Sequence, residues 1–161
     1  MGRFYFDRGY FSGKTRKWVS FESTPGLENT KKDIYGRCVP CITGLYEQLK
    51  EEKKEIALGP AYHCWKVVIV LEDDSRVLSF LQQYERRFLA ERTLKGRFGS
   101  GDETKETRVI VFNVYDEGEK DRLLAEAKTC AEEVGGDVEV FSHRACGELY
   151  HDLLGDWRNW R

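Results

Sequence analysis

Trp65-Lys66-Val67-Val68-Ile69-Val70-Leu71 is an unbroken, β-branched apolar run of strand length, and the chain on its C-terminal side is spaced as though this were the first strand of a unit. Directly after it, Asp73, Asp74 or Ser75 can cap a helix. The apolar residues Val77, Leu81, Tyr84 and Phe88 of that helix return at i, i+4, i+7 and i+11, which is one face of a 3.6-residue period. Thr93 to Phe98 then supplies a second strand, Gly99-Ser100-Gly101-Asp102 a turn, and Arg108 to Val114 a third strand. Asp116 with Glu119 three residues later has capping-box spacing, and Leu123, Ala127, Cys130 and Val134 continue a helical stripe that Gly135-Gly136 stops. Asp137 to Phe141 closes the unit as a fourth strand.

The order is therefore βαββαβ over roughly residues 65–142, the α+β, ferredoxin-like arrangement with both helices on one face of an antiparallel sheet. Helices cover only one side of such a sheet. Yet Val67, Ile69 and Leu71 alternate with Val68 and Val70, and Val109 and Val111 alternate with Ile110, Phe112 and Val114, so both faces are apolar. Val68, Ile69, Val70, Val109, Val111 and Phe112 are accordingly expected to be buried. The second face needs a cover: the N-terminal segment, a C-terminal helix or a second copy of the chain.

Upstream, Arg3 to Phe6 and Lys17 to Phe21 are expected as short strands, and Ile42 to about Ile56 as a helix that Gly59-Pro60 ends. Downstream, Leu149, Leu153, Trp157 and Trp160 recur at helical spacing. The chain thus divides into a basic, aromatic N-terminal extension, 1–64, packing on a core with a C-terminal helix, 65–161.

A length of 161 residues with 40% hydrophobic side chains supports a real core, and 34% charged residues leave no apolar run of membrane-spanning length. Met1 to Tyr10 has no charged-then-apolar leader, so a cytoplasmic chain with no membrane partner is expected. Five cysteines, an odd number in a chain too long to need stapling, are expected as reduced thiols. The net charge of −2 conceals an asymmetry. Residues 1–37 carry eight Lys/Arg against four Asp/Glu, and the remainder 18 against 24. The same first segment holds Phe4, Tyr5, Phe6, Tyr10, Phe11, Trp18, Phe21 and Tyr35, eight of the 21 aromatic residues.

Cys38-Val39-Pro40-Cys41 is the sharpest local signal, since a Cys-x2-Cys turn before a helix suits either a low-pKa redox thiol or two metal ligands. His143-Arg144-Ala145-Cys146 offers a partner turn. Cys38, Cys41, His143 and Cys146 are therefore the candidate zinc ligands, although about a hundred residues separate the two turns where a zinc ribbon has about 15 to 20. Thioredoxin-type chemistry would need a core strand before Cys38, and Lys31 to Arg37 is polar. Gly9 to Thr15 has one residue too few between its glycines for a phosphate loop. Cys146 with His143, and Cys64 with His63, have no spacing that demonstrates a nucleophile and its base.

Cations interleaved with aromatics, notably Arg3, Arg8, Lys14, Arg16, Lys17 and Trp18, can hold phosphates while unpaired bases stack. The third strand carries Val109, Val111 and Phe112 in place of paired aromatics, so the sheet itself is not expected to be a base platform. The leading expectation is a non-catalytic module that self-associates or docks a protein through its second sheet face. The alternatives are nucleic-acid (RNA) binding through the N-terminal segment, and a zinc-binding or thiol redox protein using Cys38 and Cys41.

Overall fold

The computed structural model describes residues 2–7, 10–12, 16–100, 108–147 and 150–160. Seven strands form one antiparallel sheet: β1 (Tyr5–Phe6), β2 (Tyr10–Ser12), β3 (Arg16–Glu22), β4 (Trp65–Leu71), β5 (Lys95–Ser100), β6 (Arg108–Val114) and β7 (Glu139–Arg144). The helices are α1 (Glu28–Asp33), α2 (Val39–Lys50), α3 (Asp74–Tyr84), α4 (Glu117–Val134) and the short α5 (His151–Leu154). The class is α+β.

β4, α3, β5, β6, α4 and β7 follow in the expected order, with β5 and β7 each displaced about two residues toward the C-terminus. The Asp73 and Asp116 side chains accept from the Arg76 and Glu119 backbone N–H groups, capping α3 and α4, and α4 stops at Gly135. The sheet order is β1-β3-β5-β6-β4-β7 with β2 also on β3, so it is not that of a free four-stranded sheet. β3 pairs with β5 from Lys17↔Ser100 to Glu22↔Lys95 and removes what would otherwise be an exposed edge.

The helix side of the sheet holds the main core. Val67, Ile69, Leu71, Ile110, Phe112 and Phe21 from the strands meet Val77, Phe80, Leu81, Tyr84, Leu123 and Ala127 from α3 and α4. Phe4 and Phe21 pack edge to face at 5.0 Å between ring centroids, and Phe21 and Phe112 at 5.4 Å. Gly96 makes this possible: a Cβ there would lie 2.1 Å from the Val111 carbonyl oxygen and 2.9 Å from Phe21 Cζ.

Two helical expectations are corrected. The segment placed at 42–56 starts at Glu28 and ends at Lys50, because α1 runs into α2 through a wide π-turn over Ile34–Cys38. Pro40 explains the widening. Its ring has no N–H for an i−4 bond and crowds the preceding turn, and the extra residue in the turn relieves both. At the other end, helix is confined to His151–Leu154 because Gly155 turns left-handed at φ 73°, while Leu149 lies outside the described residues. Tyr150 and Trp160 instead join Leu45 and Ala61 in a second small core at the end of the sheet.

The registers place three rows of side chains on the face away from α3 and α4. In the order β3, β5, β6, β4, β7 these are Glu22, Lys95, Asn113, Lys66, His143; then Ser20, Arg97, Val111, Val68, Phe141; then Trp18, Gly99, Val109, Val70, Glu139. Of the six expected core residues Ile69, Phe112, Val68 (5% exposed) and Val111 (6%) are buried, whereas Val70 and Val109 are half-buried. The last row lies farthest from α1 and α2, which cross the first.

Candidate functional site

The α1–α2 run crosses the sheet end along the first row. At its start the Glu22 carboxylate, fully buried, accepts from Asn29 N and Thr30 N at 2.9 Å each and from Thr30 Oγ1 at 2.7 Å. Leu27, the residue before the helix, supplies no side-chain cap, so Glu22 does that work from β3. Burial alone would push this carboxyl up; the bonds from Thr30 and Asn29 outweigh it and hold it below the usual carboxylate range. One turn on, Asp33 pairs with Lys95 and accepts from Tyr115 Oη at 2.7 Å. Burial pulls the Lys95 ammonium down to about 8, against the opposing charge of Glu22. Arg37 then lies 4.0 Å over the Tyr115 ring.

Helical rise carries the run on to the thiols. From Thr30 to Cys41 is roughly 17 Å at about 1.5 Å per residue, close to the roughly 19 Å across the four strand spacings from β3 to β7. Trp65↔Val114 pairs the ends of β4 and β6, which puts Cys64 opposite Tyr115, and Ala145 N donates to Cys64 O at 2.9 Å. Tyr115, Cys64 and Ala145 are thus neighbours at the sheet end, with Cys146 beside them. Cys41 and Cys146 both pack against the second core. The sequence offers His63 with Cys64 as an alternative partner for Cys38 and Cys41, the weaker choice because adjacent residues rarely aim both side chains at one ion; the β4–β7 pairing instead sets Cys64 beside Cys146.

The expected low-pKa thiol at a helix start is corrected. Cys38 and Cys41 sit within a helical run that began at Glu28, so the free N–H groups and positive dipole end are ten residues before Cys38, where the Glu22 carboxylate caps them. Cys38 is exposed, yet partial desolvation by the protein around it and then the neighbouring Cys41 push its thiol up, with Arg37 opposing. Burial also raises Cys64 to about 11 and Cys130, in the helix-side core, to about 12. As the side chains are placed, no group of three Cys, His, Asp or Glu among the described residues can hold one ion. His143 stands in the first row, its ring stacked on Phe141 at 6.3 Å and its Nδ1 2.9 Å from Arg144 O.

The candidate nucleic-acid residues divide. Arg3 stacks over Tyr5 at 4.7 Å, and Arg97 over Trp18 at 4.8 Å, which places Trp18 on the free face of the sheet. Arg16 and Lys17 are residues of β3, and Arg8 and Lys14 lie outside the described residues, as do Gly9 and 13–15 of the glycine-punctuated stretch. Phe141, 39% exposed, and the half-buried Val70 and Val109 complete that face with Arg97 and Lys66.

No family model, curated protein or solved structure matches this chain. Among the described residues no helix is long and apolar enough to cross a membrane.

Proposed function

We propose that this chain is a non-catalytic binding module with a ferredoxin-like core, formed by the β5-β6-β4-β7 part of the sheet, that takes single-stranded nucleic acid on its free sheet face. The observation that carries the reading is the row geometry. Trp18 under Arg97 on one margin and Phe141 beside His143 on the other flank an apolar floor of Val70 and Val109, with Lys66 two rows away, toward the α1–α2 run. The exposed Phe141 ring and the half-buried Trp18 ring offer stacking surfaces to unpaired bases, and Arg97 and Lys66 bring positive charge to the same face. The opposite layer has the other polarity: α4 carries six acidic residues against three basic ones, which orients an anionic strand toward the free face.

This reading joins docking through the second face with nucleic-acid binding by the N-terminal segment, and it departs from the expectation that the sheet is no base platform by placing the stacking rings on β3 and β7 instead of β6. β3 belongs to both that face and that segment. It also favours nucleic acid over a second copy of the chain, because a face that carries Arg97 and Lys66 against the carboxylate of Glu139 sets mostly like charge against like when laid on itself.

The test is fluorescence anisotropy of labelled single-stranded RNA at increasing salt, with sedimentation of the same samples. Affinity should fall with a log–log slope of roughly −1.4 to −2 if two or three phosphates are held. Trp18→Ala should weaken binding at least about tenfold with unchanged circular dichroism. Failure to bind at low salt, or a dimer whose formation requires Trp18 and Phe141, would overturn the reading.

A further inference from the structure

We infer that Cys38, Cys41, Cys64 and Cys146 are the four ligands of one structural zinc ion at the sheet end, beside the small core of Leu45, Ala61, Tyr150 and Trp160. Four separate observations bring them there. Cys38 and Cys41 are three residues apart on one helical run and so share a face. Arg37, next to Cys38, stacks on Tyr115, which the β4–β6 register sets opposite Cys64. The bond from Ala145 N to Cys64 O holds Cys146 alongside Cys64. Cys41 and Cys146 pack on the same small core of Leu45, Ala61, Tyr150 and Trp160. The electrostatics agree, since Cys64 is influenced by the charges of Cys146, Cys38 and Cys41, and Cys146 by those of Cys41 and Cys38.

A tetrahedral tetrathiolate site sets sulfurs about 2.3 Å from the metal. The shared small core and the Cys64–Ala145 bond bring the four residues to one end of the sheet, and closing the site turns the sulfurs inward between staggered χ1 wells, with Cys64 Sγ leaving its 3.2 Å contact with Pro60 O. Binding exchanges four thiol protons for one Zn2+ and leaves the complex with two negative charges. Two cations stand ready to offset them: Arg37 acts on Cys38 and Cys64, and Lys66 on Cys146. The site explains a fold problem as well. The second core is small, and a metal tying α2 to the ends of β4 and β7 fixes the helix across the sheet. His143 has no part in it.

Cobalt titration of the reduced full-length chain tests this, followed by displacement with zinc. One equivalent of Co2+ should give thiolate-to-metal charge transfer and tetrahedral visible bands, and zinc uptake should release about four protons below the thiol pKa values. Cys41→Ser, Cys64→Ser and Cys146→Ser should each abolish stoichiometric binding, whereas His143→Ala and Cys130→Ala should keep the full spectrum. Melting of each metal-free variant separates ligand loss from misfolding: the metal-free wild type and Cys41→Ser should melt alike, and zinc should raise only the former. Absence of a thiolate spectrum, an unchanged spectrum in Cys64→Ser, loss of it in His143→Ala, or a Cys38–Cys41 disulfide that forms in place of metal binding would each overturn the assignment. None of these outcomes depends on whether the free sheet face binds nucleic acid.

Discussion

The two faces of the sheet use the same residue types for opposite ends. Phe4 and Phe21 from the N-terminal strands are buried against Phe112 and Tyr84 under α3 and α4. Tyr5 and Trp18, from the same two short segments, carry Arg3 and Arg97 on their rings on the other side. Successive side chains of a strand alternate, so position along the strand decides which aromatic becomes core and which becomes surface. An aromatic-rich segment is therefore two sets of residues, and each set makes a different prediction when truncated.

The largest expected effect is on the helix side. Phe112→Ala removes a fully buried ring that meets Phe4, Phe21 and Tyr84, and should cost about 3–5 kcal/mol in urea denaturation. A loss below about 1 kcal/mol would show that this face is loosely packed and erase the contrast. Gly96→Ala comes next. Its new methyl would strike the Val111 carbonyl, which is backbone and cannot turn aside, so β5 and β6 must separate locally at a cost of about 1–3 kcal/mol. Unchanged stability there would mean the β5–β6 register is wrong.

Much of this arrangement can be read from the sequence, and what escapes it has a common cause. Caps at Asp73 and Asp116, the stripes of α3 and α4 and the apolar runs of β4 and β6 are local signals, and each element forms where its signal lies. Lys17 to Phe21 is also recognisable as a strand, but nothing local states that it pairs with β5, since edge pairing is a long-range choice. The helix through Pro40 hides for a different reason: proline normally marks a first turn, and here a π-turn lets the helix continue past it. That displaced the expected dipole from Cys38 to Glu22. Cys64 has only His63 as a chemical neighbour along the chain, because Tyr115 and Ala145, which stand beside it, follow two other strands.

Between the two faces lies the cap at Glu22, whose removal should be intermediate in size. Glu22→Gln replaces a buried carboxylate that holds the start of α1 and should cost about 0.5–2 kcal/mol, as losing an N-cap does. The pH dependence has a definite sign. Because the folded pKa is lowered, this contribution is fully present above the ordinary carboxyl value of 4.5 and is lost as pH falls through the lower folded value. Melting temperature followed from neutral pH downward should therefore drop more steeply for wild type than for Glu22→Gln, and parallel curves would remove Glu22 from its capping role.

The smallest stability effect should fall on the free face, where it is paired with the clearest change in binding. Phe141 is 39% exposed and touches the sheet through Val68 across the β4–β7 pair, so Phe141→Ala removes a ring that is already partly in water. Its unfolding free energy from urea denaturation should change by no more than about 0.5 kcal/mol, in line with surface substitutions away from special features. If the ring serves as a stacking surface for a base, the same variant should lose about 1–3 kcal/mol of affinity for single-stranded RNA, roughly tenfold or more. The two measurements together separate the faces: Phe112→Ala alters stability first, and Phe141→Ala alters binding with folding intact. A Phe141→Ala chain that binds like wild type would confine any nucleic-acid contact to the β3 margin at Trp18 and Arg97. A chain that unfolds instead would make Phe141 a core residue and the second face a packing surface.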